Sequence, residues 1–594
     1  MPSHSEPTRS PLVVLGMPGL DWQRLQRLVE RGELPRFARL LDEGTWAPVH
    51  RPTGPADSVW TTFATGVPAD VHGVLHPLER LDGTLFVRGV DATSLRSPAF
   101  ASMAARAGRR VASVGWPCTD GLVLDGGWAI GPAADLATGA RDADAPLDPR
   151  AASPAAAADT VRASRLHPRD IAHADLAFFL APLPPAARAR IAPALAAALA
   201  RAGARQAWAT EALALAPDIV LLHWPWLADM AALLRPLAQA AESATAAEAV
   251  LDRCLHFADL ALDPYLAPPH AHPHGAARVL VLSDAAFVLA AGPGVARDRM
   301  ADPLAATEVF DLLSALAGLA PAGRAPCAIL RTLLTDSTPA QPADFPLPPR
   351  ALVARDLVDD FDAHPTPADE ARMARAPAVD WTPWRAMART VRRETLLALA
   401  QGVAGAGRVD EALATLRQLL DETPDFLPAR VLAARLAWTR GRPEEFAALA
   451  ETGRQLHGDG PLGDTAHAIE LLARRDWPAF DRALAALMAR PVWVLNLHAV
   501  AARAHQLRGD AHATVDALAA AVAHDPRDAT AWLALGEATG RIGRHADAIR
   551  AIGRAVSLLP GQRAPLMQLS EAQRQAGDAV AAAQTLLRAT LARP

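Results

Sequence analysis

In the last third of the chain, one residue type returns at a fixed interval. Gly407, Gly441, Gly509, Gly543 and Gly577 fall on a spacing of 34 residues, and Arg475 fills the one missing slot. The same period places small side chains at Ala400, Ala434, Ala468, Ala502, Gly536 and Ser570, and prolines at Pro424, Pro526, Pro560 and Pro594. Several independent positions obeying one period constrain the fold strongly. Each unit is a small supersecondary piece, and neighbouring units must stack to bury a continuous core.

The pattern resembles the tetratricopeptide repeat, in which each unit is two antiparallel helices, with small residues where the helices cross and glycine at the turn between them. The resemblance implies an all-α superhelix of about six 34-residue units over 393–594, with a protein or peptide partner on its concave face. The third unit, about 462–491, departs most. There Trp477-Pro478 stands where the inter-helix turn is expected, and Phe480 stands where Ala412, Ala548 and Ala582 sit in other units.

A chain of 594 residues is too long for one core. Its basic residues are all arginine, and a net charge of −5 without a basic block argues against nucleic acid as the main partner. Cys118, Cys254 and Cys327 are odd in number and far apart, which fits neither a disulfide framework nor a cysteine-rich metal knuckle and suits a reducing compartment. The start, MPSHSEPTRS, has no basic segment leading into a long apolar core, and the apolar run at 12–15 is too short to span a membrane. The expectation is a soluble, cytoplasmic protein with no membrane span. Pro339, Pro342, Pro346, Pro348, Pro349, Pro365 and Pro367, with no sustained period around them, mark 336–392 as a linker.

Ahead of the linker, short uninterrupted apolar runs alternate with helical patterns. LVVL at 12–15 reads as a buried parallel strand; a helix capped by Asp21 and stopped at Gly32 follows, then a second helix over 34–41 closed by Gly44. A strand with a turn is expected over 109–117, further strands in 218–223 and 279–286, and a helix over 308–319; 136–160, rich in Ala, Asp and Pro, reads as an insertion or mobile loop. The stretch 51–74, RPTGPADSVWTTFATGVPADVHGV, joins a proline-interrupted turn to a helix-like run that breaks at Thr65-Gly66 and again at His72-Gly73.

This order, with W-T-T-F-A-T-G and the following H-G, resembles the alkaline phosphatase superfamily, in particular type I phosphodiesterases and nucleotide pyrophosphatases. The resemblance covers 1–335 and implies an α/β domain with a mostly parallel sheet covered by helices on both faces. It also implies two divalent ions, Zn²⁺ or Mn²⁺, held by Asp and His at strand ends beside a Ser or Thr nucleophile at a helix N-terminus. Carried over residue by residue, the nucleophile falls on Ala56 and the first Asp ligand on Pro18. The Asp of S-D-H-G is Asp284, but its His and Gly are Ala285 and Ala286. The Asp of D-x-x-x-H is Asp229, but its His is Leu233. A later His is lost with a segment that the chain shortens between Asp284 and Phe287.

One carboxylate per ion remains, too few to fill either site. Ser58 is a substitute nucleophile only if the turn re-registers by two residues, with Asp57 as a ligand; His270, His272 and His274 read as a solvated loop. Asp229 and Asp284 also fit a simpler role, as strand-end carboxylates that accept backbone N–H bonds. His72 resembles a structural residue, and Trp60, Trp116, His223, Trp224 and Trp226 read as packing. The resulting expectation is a pseudoenzyme that binds no cofactor and acts as a scaffold or regulator through its repeats. The alternative is an active metal-dependent phosphohydrolase or phosphodiesterase with a rearranged site.

Overall fold

The computed structural model describes residues 10–50, 54–80, 87–135, 146–240, 243–266, 276–284, 287–297, 299–301, 303–321, 330–335, 341–343, 370, 374–375, 382–405, 407–458, 460–490, 493–525, 528–559 and 563–591. It divides into two compact units, Met1–Ala388 and Arg389–Pro594. Most of the proline-rich stretch 336–392 lies outside the described residues.

The first unit is built on one mixed sheet. Its strands are β1 (Leu12–Gly16), β2 (Gly44–His50), β5 (Val111–Val114), β6 (Trp128–Ile130), β7 (Ala152–Ser153), β8 (Ile219–His223), β9 (Arg278–Ser283), β10 (Phe287–Ala291), β11 (Arg299–Met300) and β12 (Leu304–Ala305). A separate hairpin pairs β3 (Leu78–Arg80) with β4 (Val87–Gly89). The sheet order is β11-β2-β10-β9-β1-β8-β5-β6-β7, with β12 beside β2. β9, β1, β8, β5 and β6 run parallel, while β10 is antiparallel to both β9 and β2, and β7 is antiparallel to β6. All five residues of β1 are buried. Val13 and Leu15 join one apolar cluster, and Leu12 and Val14 join a second, because successive side chains of a strand point to opposite faces. Both faces are therefore covered, as parallel sheets require.

Local chemistry accounts for the elements at the front. Helix α1 (Trp22–Glu30) is capped by Asp21, whose carboxylate accepts from the Arg24 amide at 2.8 Å. Helix α2 (Pro35–Glu43) ends at Gly44, but Gly44 is no left-handed cap. Its backbone is extended, and it begins β2. A Cβ there would lie 2.3 Å from the Ala290 carbonyl oxygen, so close backbone approach to β10 is what demands glycine. Helix α3 (Ala56–Thr65) ends at Gly66 with φ of +68°, and helix α4 (Ala69–His72) at Gly73 with φ of +85°. The expected loop over 136–160 is corrected in part. Residues 136–145 lie outside the described residues, while Ala155–Ala163 is a helix that buries Ala157 and Val161, one turn apart. Alanine's high helix propensity outweighs the turn-forming composition there.

From Arg389 onward the described residues are helical and connected by short turns. After Thr382–Gly405 and Val409–Glu422, the helices follow in pairs: Leu427–Thr439 with Pro443–His457, Pro461–Arg474 with Trp477–Met488, and Leu497–Arg508 with Ala511–His524. Ala529–Arg541 with His545–Leu558 and Arg563–Gln575 with Ala579–Leu591 complete the series. The residue between the helices of each pair is left-handed every time: φ is +80° at Gly407, +70° at Gly441, +57° at Arg475, +81° at Gly509, +79° at Gly543 and +85° at Gly577. Trp477-Pro478 does not replace the turn in the third pair. Arg475 makes the turn, Asp476 caps the next helix, and Pro478 sits in its first turn, where a missing N–H costs nothing. Phe480 is buried, and so is Phe446 at the equivalent position one unit earlier, so the large side chain is shared by two neighbours.

Candidate functional site

Three of the parallel strands, β9, β1 and β8, lie side by side and end together, and the chain leaving each carries a residue singled out above. Pro18 and Gly19 follow β1, Asp284 follows β9, and Asp229 lies in the first turn of the helix Trp226–Ala238, which follows β8. The Gly19 amide donates to Asp284 Oδ1 at 2.7 Å. The Pro18 carbonyl accepts from the Ala228 amide at 3.0 Å. Gly19 has φ of +80°, and a Cβ on it would stand 2.7 Å from the Ala228 nitrogen, so its backbone fills the space against that helix. The structure thus gathers Pro18, Asp229 and Asp284 around one turn, with Asp284 buried.

Each of the two carboxylates has a donor from the chain itself. Asp284 takes the Gly19 amide, and Asp229 Oδ2 takes Arg201 Nη2 at 3.0 Å. Arg201 comes from the 30-residue helix Pro185–Ala214. One turn further along it, Arg205 is buried beneath the ends of β5 and β8. It forms an ion pair with Asp135 at 2.5 Å and donates to the Gly115 and His223 carbonyls. The His223 ring packs edge-on against Trp60, with ring centroids 4.8 Å apart, and lies near Trp116 at 6.0 Å. Burial, followed by the Arg205 charge, holds His223 well below the usual imidazole range, so it is a neutral ring. Trp60 in turn backs onto Gly16 at the end of β1, where a Cβ would meet its ring at 2.9 Å.

The N-terminus of α3 is where the nucleophile was expected. Ala56 is exposed there, and Pro55 at the cap offers no side-chain acceptor. Ser58 is buried in the first turn, and its carbonyl accepts from Thr62 Oγ1 at 3.0 Å. His72 is fully buried, with Nδ1 accepting the Val74 amide and Nε2 3.1 Å from Thr62 Oγ1. Burial brings its pKa down to about 3, and it braces α3 against the turn at 72–74. Burial also raises the Asp57 carboxyl, with a partly opposing pull from His76, and pushes the Cys118 thiol up to about 12. The Cys118 thiol is therefore not activated, since a reactive thiol requires a lowered pKa.

These residues do not fit a two-metal centre. Pro18, Ala56 and Leu233 carry no ligating side-chain atom, and the remaining carboxylates are engaged by an amide and a guanidinium. Among the described residues no group of three His, Cys, Asp or Glu side chains is placed to hold a metal ion. Ala285, Ala286, His270, His272 and His274 lie outside the described residues. β10 nevertheless pairs antiparallel with β9, with Phe287 opposite Ser283. Sequence reasoning missed Arg201, Arg205 and Asp135. The only local signal was two arginines four apart on an alanine-rich helix.

A mixed sheet with a parallel centre, joined in one chain to paired helices of fixed period, makes a two-part protein: an α/β unit and a helical repeat. Comparison agrees. Residues 12–227 match the family model described as type I phosphodiesterase / nucleotide pyrophosphatase, and residues 403–474 match the tetratricopeptide repeat. The chain therefore carries a type I phosphodiesterase / nucleotide pyrophosphatase domain and a C-terminal tetratricopeptide repeat region. No curated protein matches it. Among solved structures, the MamA protein is similar at 16% identity, covering 34% of this chain and 90% of that one with a TM-score of 0.17. YrrB, described as a TPR protein with an unusual peptide-binding site, is similar at 12% identity, covering 33% and 83% with a TM-score of 0.16. A human IFIT1 dimer with PPP-AAAA is similar at 14% identity, covering 41% and 58% with a TM-score of 0.29. No helix among the described residues is long and apolar enough to cross a membrane.

Proposed function

We propose that this chain is a pseudoenzyme scaffold: its phosphodiesterase-like domain no longer hydrolyses phosphate esters, and its tetratricopeptide region binds a protein or peptide. One observation carries the reading. Both carboxylates left at the strand ends are satisfied by donors of the chain, while the positions of the nucleophile and of two further ligands hold Ala56, Pro18 and Leu233. Two-metal phosphoryl chemistry requires ions that clamp the attacking and leaving oxygens, and this donor set cannot hold them. The repeat region supports the binding role, because the first helices of its units expose Arg435, Arg503, Glu537 and Glu571 at equivalent positions of the period, with buried Ile469 at the position between the first two. Exposed charges on successive stacked helices offer a partner polar contacts. Buried, unpaired Cys118 and Cys254 support a reducing, cytoplasmic setting.

The test combines metal analysis with hydrolysis of an aryl phosphate monoester and diester by the purified full-length protein. The expected result is no stoichiometric Zn²⁺ or Mn²⁺ and no turnover above buffer. Near-stoichiometric metal, with turnover abolished by Asp284→Asn, would establish a rearranged active phosphodiesterase instead.

A further inference from the structure

We infer that Arg201 is the built-in counter-cation of Asp229, and that the ends of β9, β1 and β8 meet in a metal-independent junction held by the chain's own donors. The inference rests on the non-catalytic reading above and adds to it what holds the two remaining carboxylates. Arg201 and Arg205 are one turn apart on Pro185–Ala214, so their side chains leave the same face of that helix. Arg205 ties Asp135 to the ends of β5 and β8. Arg201 reaches the helix after β8 and places a permanent positive charge 3.0 Å from the one carboxylate left in its first turn. Both partners of that pair are about one third exposed, 33% and 31%, so the pair lies at the surface of the unit. On the other side the Asp284 carboxylate is held by the Gly19 amide, and the Pro18-Gly19 turn is wedged against Ala228. Every carboxylate that a metal ion would need is thus already balanced, one by a fixed dipole and one by a guanidinium. A guanidinium stays protonated throughout the accessible pH range and cannot be chelated away.

The experiment measures the thermal unfolding midpoint of the full-length protein in EDTA and in millimolar Mn²⁺, for wild type and charge-exchanged variants. The wild-type midpoint is expected to be the same in both. Arg201→Asp sets two carboxylates face to face and is expected to lower the midpoint in EDTA by about 1–4 °C, with recovery in Mn²⁺. The exchange variant Arg201→Asp/Asp229→Arg is expected to regain the wild-type midpoint without metal. Should Arg201→Asp fail to fold, Arg201→Met, Asp229→Asn and their combination serve instead: the double variant is expected to lose no more than the worse single one. An exchange variant no better than its parents, or additive losses in the second set, overturns the counter-cation role and leaves the non-catalytic reading standing. Wild-type protein that retains Mn²⁺ or Zn²⁺ and loses it in Asp229→Asn overturns the inference. If that metal also supports ester hydrolysis, the non-catalytic reading falls with it.

Discussion

The Gly19 amide and the Asp284 carboxylate are hydrogen-bonded at 2.7 Å across 265 positions of sequence, which ties the turn after β1 to the end of β9. Removing the acceptor leaves a partly buried amide without its partner, a loss of about 1–3 kcal/mol. Asp284→Ala is therefore expected to lower the urea midpoint clearly, while Asp284→Asn, which keeps an oxygen in place, is expected to lose less than half as much. Equilibrium unfolding of the two variants followed by tryptophan fluorescence checks the ranking.

Close helix crossing in the repeat region gives a second expectation. A Cβ on Gly536 would lie 2.3 Å from Ile552 Cγ1 and 3.2 Å from the Ala548 carbonyl oxygen. Gly536→Ala gains about 1 kcal/mol of helix propensity but overpacks the crossing at a cost of about 1–3 kcal/mol. The net expected outcome is destabilisation, relieved by Ile552→Val in the double variant and read as a partial return of the melting temperature.

Arg475 is the one non-glycine residue in a ladder of left-handed turns. A side chain in that region costs roughly 1 kcal/mol, which glycine avoids at the price of a more flexible unfolded chain. Arg475→Gly is expected to stabilise the protein by about 0.5 kcal/mol. A denaturation midpoint at or below wild type would show that the Arg475 side chain makes up the difference.

Two buried neutral rings set the acid response. The pKa of His72 falls to about 3 through burial, and that of His223 is lowered as well. The unfolded chain takes up these protons below pH 6.5 while the native state refuses them. Their contribution is therefore complete above pH 6.5 and is lost as pH falls toward 3, with a slope of up to about 1.4 kcal/mol per pH unit for each ring. Asp120 acts in the opposite sense. Burial raises its carboxyl to about 6 from 3.8, so the native state binds its proton first and gains stability as pH falls from 6 to 4. Burial raises Asp57, Asp259 and Asp528 as well, so the ring contribution is read by difference. The urea midpoint of the wild type relative to His72→Asn, whose amide oxygen can still accept from Val74, is expected to fall from pH 6.5 to 4.5.

Much of the architecture could be read locally. β1 is a short run of apolar residues ended by glycine, α3 and α4 stop where Gly66 and Gly73 allow a left-handed backbone, and the repeat turns follow one period. Those features depend on residues a few positions apart. The helix Ala155–Ala163 was hidden because its alanines, preceded by Pro146, Pro149 and Pro154, also suit a loop, and only burial of Ala157 and Val161 decides between them. Gly44 was legible as a helix end but not as a contact, since the atom that excludes a side chain belongs to Ala290. At the candidate site, the sequence carried the losses at Ala56, Pro18 and Leu233, which are matters of residue type alone. It did not carry the pairing of Asp229 with Arg201, 28 positions upstream on a different helix. That pairing exists only once the sheet has set the helices beside one another.

The left-handed residue that recurs between paired helices also bears on how such a chain can change in length. Because each reversal is encoded within its own unit, a whole unit can be duplicated or dropped without re-registering its neighbours. The strand ends allow no such freedom, since β9, β1 and β8 are each fixed by partners more than two hundred residues away. One half of this molecule is modular and can be lengthened to suit a longer guest, whereas the other is topologically committed and can only be refurnished side chain by side chain.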